Sequence, residues 1–349
     1  MVAREQLKWA LVAGGLLFGL VFPFISPNDF ILDAGFLVLM WMGLASAWNI
    51  IGGFTGYVSF GHVAFFGYGM FTTGIMTVQY GIGRNVGTVP ELGGFILVLL
   101  TGGLVSGLIA AAIAYPVLRL RGHYFAIAML GIAEASHAIF LNTPQLQGAQ
   151  GWQIDLLSPF ILGDSFLYYV MFVVAVLTVF LAYVVKRSKI GYGLIAIREG
   201  EEAARMLGVP VTRYKIYGFV LSAFPPGVIG AIYAYHIFLV NAQEAFIVTK
   251  TIDMIVVTLI GGLGTVTGPI IGSIVFVGLQ EIVLSDLLAW HLFVTGALIV
   301  VVILGAPRGL VGLAQEYRET GHVAGVDVRE LLGRGSEATT GTTEQEGEQ

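Results

Sequence analysis

Glu134 and His137 stand one helical turn apart in AMLGIAEASHAIF, and His62 lies in VSFGHVAFF beside Ser59, with Asn49 upstream. A carboxylate and an imidazole three residues apart share one face of a helix. There they can relay a proton, line a polar path, or hydrogen-bond across to a neighbouring helix. His62 and Ser59 can equally cap a broken helix. Asp253 and Glu281 add two carboxylates near the ends of apolar runs, where they can reach water. Stronger chemistry is missing. The 349 residues include no cysteine, no HExxH and no paired aspartates within an apolar run. Disulfides, thiolate metal sites and cysteine nucleophiles are therefore excluded. No G-x-x-x-x-G-K-[ST] phosphate loop occurs, so the chain cannot itself draw on ATP. GGLGTVTG has the glycine density of a dinucleotide loop but follows no strand. No catalytic residue, metal or cofactor is expected on this chain.

These side chains belong to a very apolar sequence, 56% hydrophobic and only 11% charged. A soluble domain would carry about a quarter charged residues. The net charge of −5 collects in loops and tail and gives no reason to expect nucleic acid. Runs long enough to cross about 30 Å of hydrocarbon recur along the chain. They fall at 9–25, 30–51, 54–79, 93–118, 122–141, 166–185, 216–240, 251–263, 266–285 and 290–306. The expected fold class is all-α, a polytopic transmembrane helix bundle of about ten spans in the cell membrane, some of them short or broken. Residues 251–263 fall short of the ~20 needed for a full crossing, so they are expected to form a half-helix or part of a broken span. The first run, from Trp9 to Ile25 behind Arg4 and Lys8, is read as a retained helix: no small-x-small cleavage site follows, and Pro23 and Pro27 punctuate its exit.

Lysine and arginine in short loops set orientation. Arg4 and Lys8 precede the first span, and Arg119 and Arg121 separate the fourth and fifth. Lys186, Arg187, Lys189, Arg198, Arg205, Arg213 and Lys215 lie between the sixth and seventh, and Arg308 and Arg318 follow the tenth. Placing both termini in the cytoplasm puts all of these inside and leaves only Arg84 and Lys250 outside.

Glycine is unusually frequent, 48 residues, much of it inside the spans. Gly15 with Gly19, Gly52 with Gly56, Gly103 with Gly107 and Gly268 with Gly272 have the small-x-x-x-small spacing that lets helices approach closely in lipid. Two runs are denser, IGGFTGYVSFGHVAFFG at 51–67 and IGGLGTVTGPIIG at 260–272. Each glycine costs a helix about 1 kcal/mol relative to alanine. Interrupted spans are therefore expected there, and unpaired backbone is tolerated in a membrane only where it is buried in protein or lines a cavity. Asn49, Ser59, Gly61, His62, Glu134, His137, Gly261, Gly262 and Gly264 are the candidates for a translocation pathway.

One stretch does not fit an apolar bundle: GLIAIREGEEAARMLGV at 193–209. Gly191, Gly193, Gly208 and Pro210 read as punctuation around a short helical element, bent at Gly200. Glu201 and Arg205 are spaced for helix support. Leu194, Ile197, Met206 and Leu207 add apolar surface outside the bilayer, and Ala203 and Ala204 keep part of it flat. A connection of about 30 residues is long for one that only sets topology. The alternation of acids and bases suits a protein partner better than anionic lipid.

Glu202-Ala203-Ala204-Arg205-Met206-Leu207-Gly208 resembles EAAxxxG, the loop signature by which ABC importer permeases engage their ATPase subunits. Gly218, Val220 and Leu221 stand where the longer pattern has isoleucine and Leu-Pro. The segments at 188–223, 48–75, 121–140 and 252–281 resemble, in the same order, branched-chain amino acid permeases of the LivH/LivM family, over roughly residues 30–312. That resemblance implies a permease domain at 30–312 with a cytoplasmic coupling loop at 186–215, behind an N-terminal span and turn at 1–29. The acidic tail at 313–349 is too polar to fold alone. The resemblance implies Ile197, Arg198, Glu199, Glu202, Ala203, Ala204 and Gly208 as the contact with the ATPase, and acidic positions at Glu134, Asp253 and Glu281 beside His62. It implies partners too: a second, LivH-like permease, two LivG/LivF-like ATPases that use ATP and Mg, and an external solute-binding protein. Urea, short amides and other small amino acids are alternative solutes. A proton-coupled secondary transporter, running on Glu134, His137 or His62, or a passive channel, would not need the charged stretch.

Overall fold

The structure is a computed structural model that describes residues 2–82, 89–146, 150–154, 164–283, 309–313, 322–323 and 326–327. It is a helical bundle. Val2–Ile25 (α1) leads into Asp29–Thr55 (α2), His62–Gly74 (α3), Val89–Val117 (α4) and His123–Asn142 (α5). Asp164–Arg187 (α6), Lys189–Glu199 (α7), Glu201–Met206 (α8) and Val211–Ile237 (α9) follow, then Ala242–Ala245 (α10), Thr249–Gly261 (α11) and Gly268–Val277 (α12). Two-residue strands at Trp152–Gln153 (β1) and Leu239–Val240 (β2) pair antiparallel, as do His322–Val323 (β3) and Val326–Asp327 (β4).

Five of these helices are long and apolar enough to cross a membrane, at 29–55, 92–117, 123–142, 165–187 and 211–237. They correspond to the second, fourth, fifth, sixth and seventh expected spans, with shifted ends. The third differs most. α2 runs on to Thr55, where Gly56 (φ 74°) closes it in the left-handed conformation that glycine adopts without strain. Helix then resumes only at His62, and it ends in a wider π turn at Ile75–Gln79. The seventh span also starts early, because α9 takes in residues 211–215 of the expected loop. Residues 251–263 and 266–285 form two short helices, α11 of 13 residues and α12 of 10, the latter extended by a π turn at Gly278–Val283. The tenth span at 290–306, Arg84, Arg308, Arg318, the side chain of Glu281 and nearly all of the tail at 313–349 lie outside the described residues.

α9 runs through the middle against α2, α3 and α4, and every residue of α3 is buried. Lipid tails are as apolar as leucine, so close approach between helices must supply the association energy. It comes where glycines meet backbone. A methyl group added at Gly69 would overlap the carbonyl of Gly227, and one at Gly230 the carbonyl of Phe66. α11 and α12 form a tight hairpin in the same way, Gly261 lying under the carbonyl of Gly268 and Gly272 under that of Val257. Of the four spaced pairs read from the sequence, only Gly268 with Gly272 makes such a contact. Gly15 has nothing near it, Gly19 faces the Phe172 ring, Gly52 faces its own Trp48, and Gly103 and Gly107 face side chains of α9.

Four connections gather at one end of the bundle: 56–61, 118–122, the α7–α8 elbow and 262–267. At the other end β1 pairs with β2, Gln79 Nε2 donates to the Gln145 carbonyl (3.0 Å), and His236 meets Asp33 (2.8 Å). Lys250 belongs to this second end, where it pairs with Glu244.

Candidate functional site

The elbow begins at Ser188, whose hydroxyl caps α7 by accepting from the Gly191 N–H (3.3 Å). α7 lies flat on the ends of α2 and α6, burying Leu194 against Ile50, Phe54, Ala182 and Val185. Gly191 and Gly193 lie inside α7 rather than before it. Both are buried at close contacts, Gly193 against the Tyr214 ring. Gly200 then separates α7 from α8, as the sequence predicts, with extended backbone (φ 170°, ψ 110°).

Beyond Gly200 the surface divides. Ile197 and Ala204, both read from sequence as contact residues, turn inward and pack with Val211, because the bend rotates α8 so that Ala204 faces the bundle. Glu199, Glu202, Ala203 and Gly208 are exposed. So are Met206 (90%), Leu207 (83%) and Tyr192 (67%), a large apolar display for an element beyond the spans. Arg198 is exposed along part of its length, but its guanidinium donates to the Gly53 carbonyl (2.9 Å) at the end of α2 and lies against Gly264.

The inner side of the elbow faces both interruptions in the bundle. Gly264 (φ 76°) sits at the turn between α11 and α12, where the left-handed backbone and the neighbouring Arg198 leave no room for a side chain. Its N–H donates to Asn49 Oδ1 (2.9 Å), and its carbonyl accepts from Lys186 Nζ (2.7 Å). Asn49 Nδ2 donates in turn to the Thr265 carbonyl (2.7 Å). Asn49 and Gly264 therefore come together, as a clip that holds the hairpin turn to α2, while Gly261 and Gly262, just before the turn, pack on Gly268.

The other interruption, 56–61, is held by Glu201. One oxygen of its carboxylate accepts from the Tyr57 hydroxyl (2.5 Å) and Lys215 Nζ (3.2 Å); the other meets Arg205 (3.2 Å) and Arg121 (3.7 Å). Lys215 is almost fully buried and donates as well to the Leu118 carbonyl (3.1 Å) and the Tyr57 oxygen (3.0 Å). Burial pushes the Glu201 carboxyl up, but the Tyr57 hydrogen bond and the Lys215 and Arg121 charges outweigh it and hold the group below the usual carboxylate range. Glu202, the next residue, reaches only Arg121 (3.2 Å) and is 81% exposed. Sequence reasoning missed Glu201, Tyr57 and Lys215 as site residues, having counted Lys215 and Arg121 only as topology charges.

Ser59, Gly61 and His62 form an interior tie. His62 is fully buried, its Nδ1 on Ser59 Oγ (2.8 Å) and its Nε2 on Ser222 Oγ of α9 (3.1 Å). Trp48 donates to the Ser59 carbonyl (2.8 Å), and Gly61 lies under the Met129 carbonyl of α5. Glu134 and His137 stand apart from this tie. They are 4.0 Å from one another on the outer face of α5, Glu134 with 58% of its side chain exposed. His137 Nε2 is buried with no partner among the described residues. Asp253 on α11 faces the Lys250 charge rather than either break. No cluster able to hold a metal ion occurs among the described residues.

Residues 12–303 match the family described as branched-chain amino acid transport system / permease component. The high-affinity branched-chain amino acid transport system permease protein LivM of Salmonella typhimurium is 25% identical over 328 residues, covering 86% of this chain and 74% of that protein. LivM of Escherichia coli matches to the same extent. The autoinducer 2 import system permease protein LsrC of Salmonella paratyphi B is 25% identical over 226 residues, 63% of each chain. No solved structure matches.

Proposed function

The chain belongs to the branched-chain amino acid transport system permease family, and from that premise we propose that it is the membrane-spanning subunit of an ATP-driven ABC importer for branched-chain or related small amino acids. It works with a second, LivH-like permease in a multi-pass arrangement of about ten crossings, both termini cytoplasmic. Two separate LivG/LivF-like ATPases use ATP and Mg and seat the α7–α8 elbow, while an external binding protein delivers the solute. The chain itself is not an enzyme and binds no cofactor.

The observation that carries this reading is the two-sided elbow. Its outer side offers Glu202, Ala203, Met206 and Leu207 beyond the spans, and its inner side is bonded to α2, α9 and the first interruption and lies against Gly264 of the second. Closure of the ATPases moves such an element as a body, and α6 and α9, attached at its two ends, rock with it. Glu134 and His137, on a face where an ionisable side chain is costly against lipid, fit the cavity or seam between two permeases.

Affinity purification of the tagged chain from its native membranes tests the class. An ATPase pair and a second permease should accompany it, and ATP, not a proton gradient, should drive uptake in vesicles. A chain that moves solute alone, or that stops with an ionophore, is a secondary transporter or channel instead. The LsrC relative keeps a second solute class open, since that protein is named for autoinducer 2 import. The ligand of the accompanying binding protein decides between them.

A further inference from the structure

We propose that Glu201 is the positioning residue that carries movement of the elbow into the bundle, by joining Tyr57 of the first interruption, Lys215 at the base of α9 and Arg121 of the α4–α5 connection at one carboxylate. The inference rests on the elbow being the ATPase contact, and it separates two adjacent glutamates that the sequence leaves equivalent. Glu202, 81% exposed, is available to a partner; the side chain of Glu201 is 14% exposed and turned to the bundle.

The covalent route through the elbow is soft. Gly200 is extended, so α8 does not continue the rod of α7, and α8 itself is only six residues long. A push on its outer side therefore reaches the spans through what α8 grips. Ala204 packs on Ile197 and Val211, contacts that allow sliding. The directional grip is Glu201. Its partners come from two connections and the first turns of α9, and each contact is a hydrogen bond or ion pair. Lys215 makes this grip stiff: its ammonium is buried, and its other acceptors are a neutral carbonyl and a hydroxyl. Displacing Glu201 without moving Lys215 would strand an unpaired charge, so α8 and the base of α9 must travel together.

The test uses the purified complex in vesicles and reads solute taken up per ATP hydrolysed. Glu201→Gln should lower that ratio by about tenfold, the scale of a charge-assisted hydrogen bond, with ATP hydrolysis maintained. Tyr57→Phe, which keeps the Glu201–Lys215 pair, should lower it less. Glu201→Gln combined with Lys215→Met removes the stranded charge, so it should recover the yield and melting temperature of the complex while remaining uncoupled. Recovery of the uptake ratio in that double variant would show a merely structural role and overturn the proposal. A normal ratio in Glu201→Gln would do the same, leaving the ATPase reading intact. A wild-type chain that brings down no ATPase overturns both.

Discussion

Removing the Asn49 side chain should free the turn between α11 and α12. Asn49 is fully buried and serves that turn twice, accepting from Gly264 N–H at 2.9 Å and donating to the Thr265 carbonyl at 2.7 Å. Asn49→Ala leaves a backbone donor and a backbone acceptor without partners. Each orphaned buried group costs about 1–3 kcal/mol, and because Gly264 and Thr265 are only half-buried, water recovers part of that. The net is ~2 kcal/mol, concentrated on one turn. A local opening made easier by that amount becomes about 30-fold more populated. The chain has no cysteine, so a single Val266→Cys reports the opening as a thiol-modification rate. Asn49→Ala should raise that rate about 30-fold. Asn49→Leu, similar in volume and without the amide, should raise it nearly as much, which separates lost hydrogen bonds from lost packing. A rate within about threefold of the parent in both variants, under 1 kcal/mol, would refute the clip.

Ala203→Trp and Glu202→Lys, on the exposed side of α8, should cut ATP-driven uptake severely without lowering the amount of chain in the membrane, measured by transport and immunoblot on the same vesicles. Gly69→Ala drives a methyl into the Gly227 carbonyl at the α3–α9 crossing. It should destabilise the bundle by about 1–3 kcal/mol, seen as a lower melting temperature in detergent, whereas Gly15→Ala, inside α1 with open space around it, should not lower it. The Glu201 carboxyl is held below its ordinary value of 4.5. Its contribution to stability is therefore complete above the unfolded value and is lost as pH falls through the lower folded one. The difference in melting temperature between the parent and Glu201→Gln should stay constant from neutral pH down to about 5 and shrink only under stronger acid.

Composition and hydropathy identify the long apolar helices because a crossing needs a run of fixed length, and α4, α5 and α6 end within a few residues of where that rule puts them. The two dense glycine runs were legible as well. Helix fails at 56–61 and 262–267, inside them, since glycine weakens a helix wherever it stands. What a local pattern does not contain is which surface lies opposite. Gly69, Gly227 and Gly230 make close approaches to a facing helix though none belongs to a spaced pair read from the sequence, because the approach depends on the facing backbone. The phase of α8 is hidden for the same reason. Whether Glu201 or Glu202 faces inward is fixed by the bend at Gly200 and by Lys215, 14 residues later. His62 reads from the sequence as a pathway residue or a cap for a broken helix; its second serine, Ser222, comes from a distant element that no local pattern contains.

The docking role of the elbow is tested most directly at Met206, 90% exposed at the end of α8. A single Met206→Cys in this cysteine-free chain is treated with a membrane-impermeant maleimide, in right-side-out and inverted vesicles, with and without the ATPase subunits. The thiol should be labelled only in inverted vesicles and protected when the ATPases are bound. Labelling from the outer side, or equal labelling with and without the ATPases, would contradict that role.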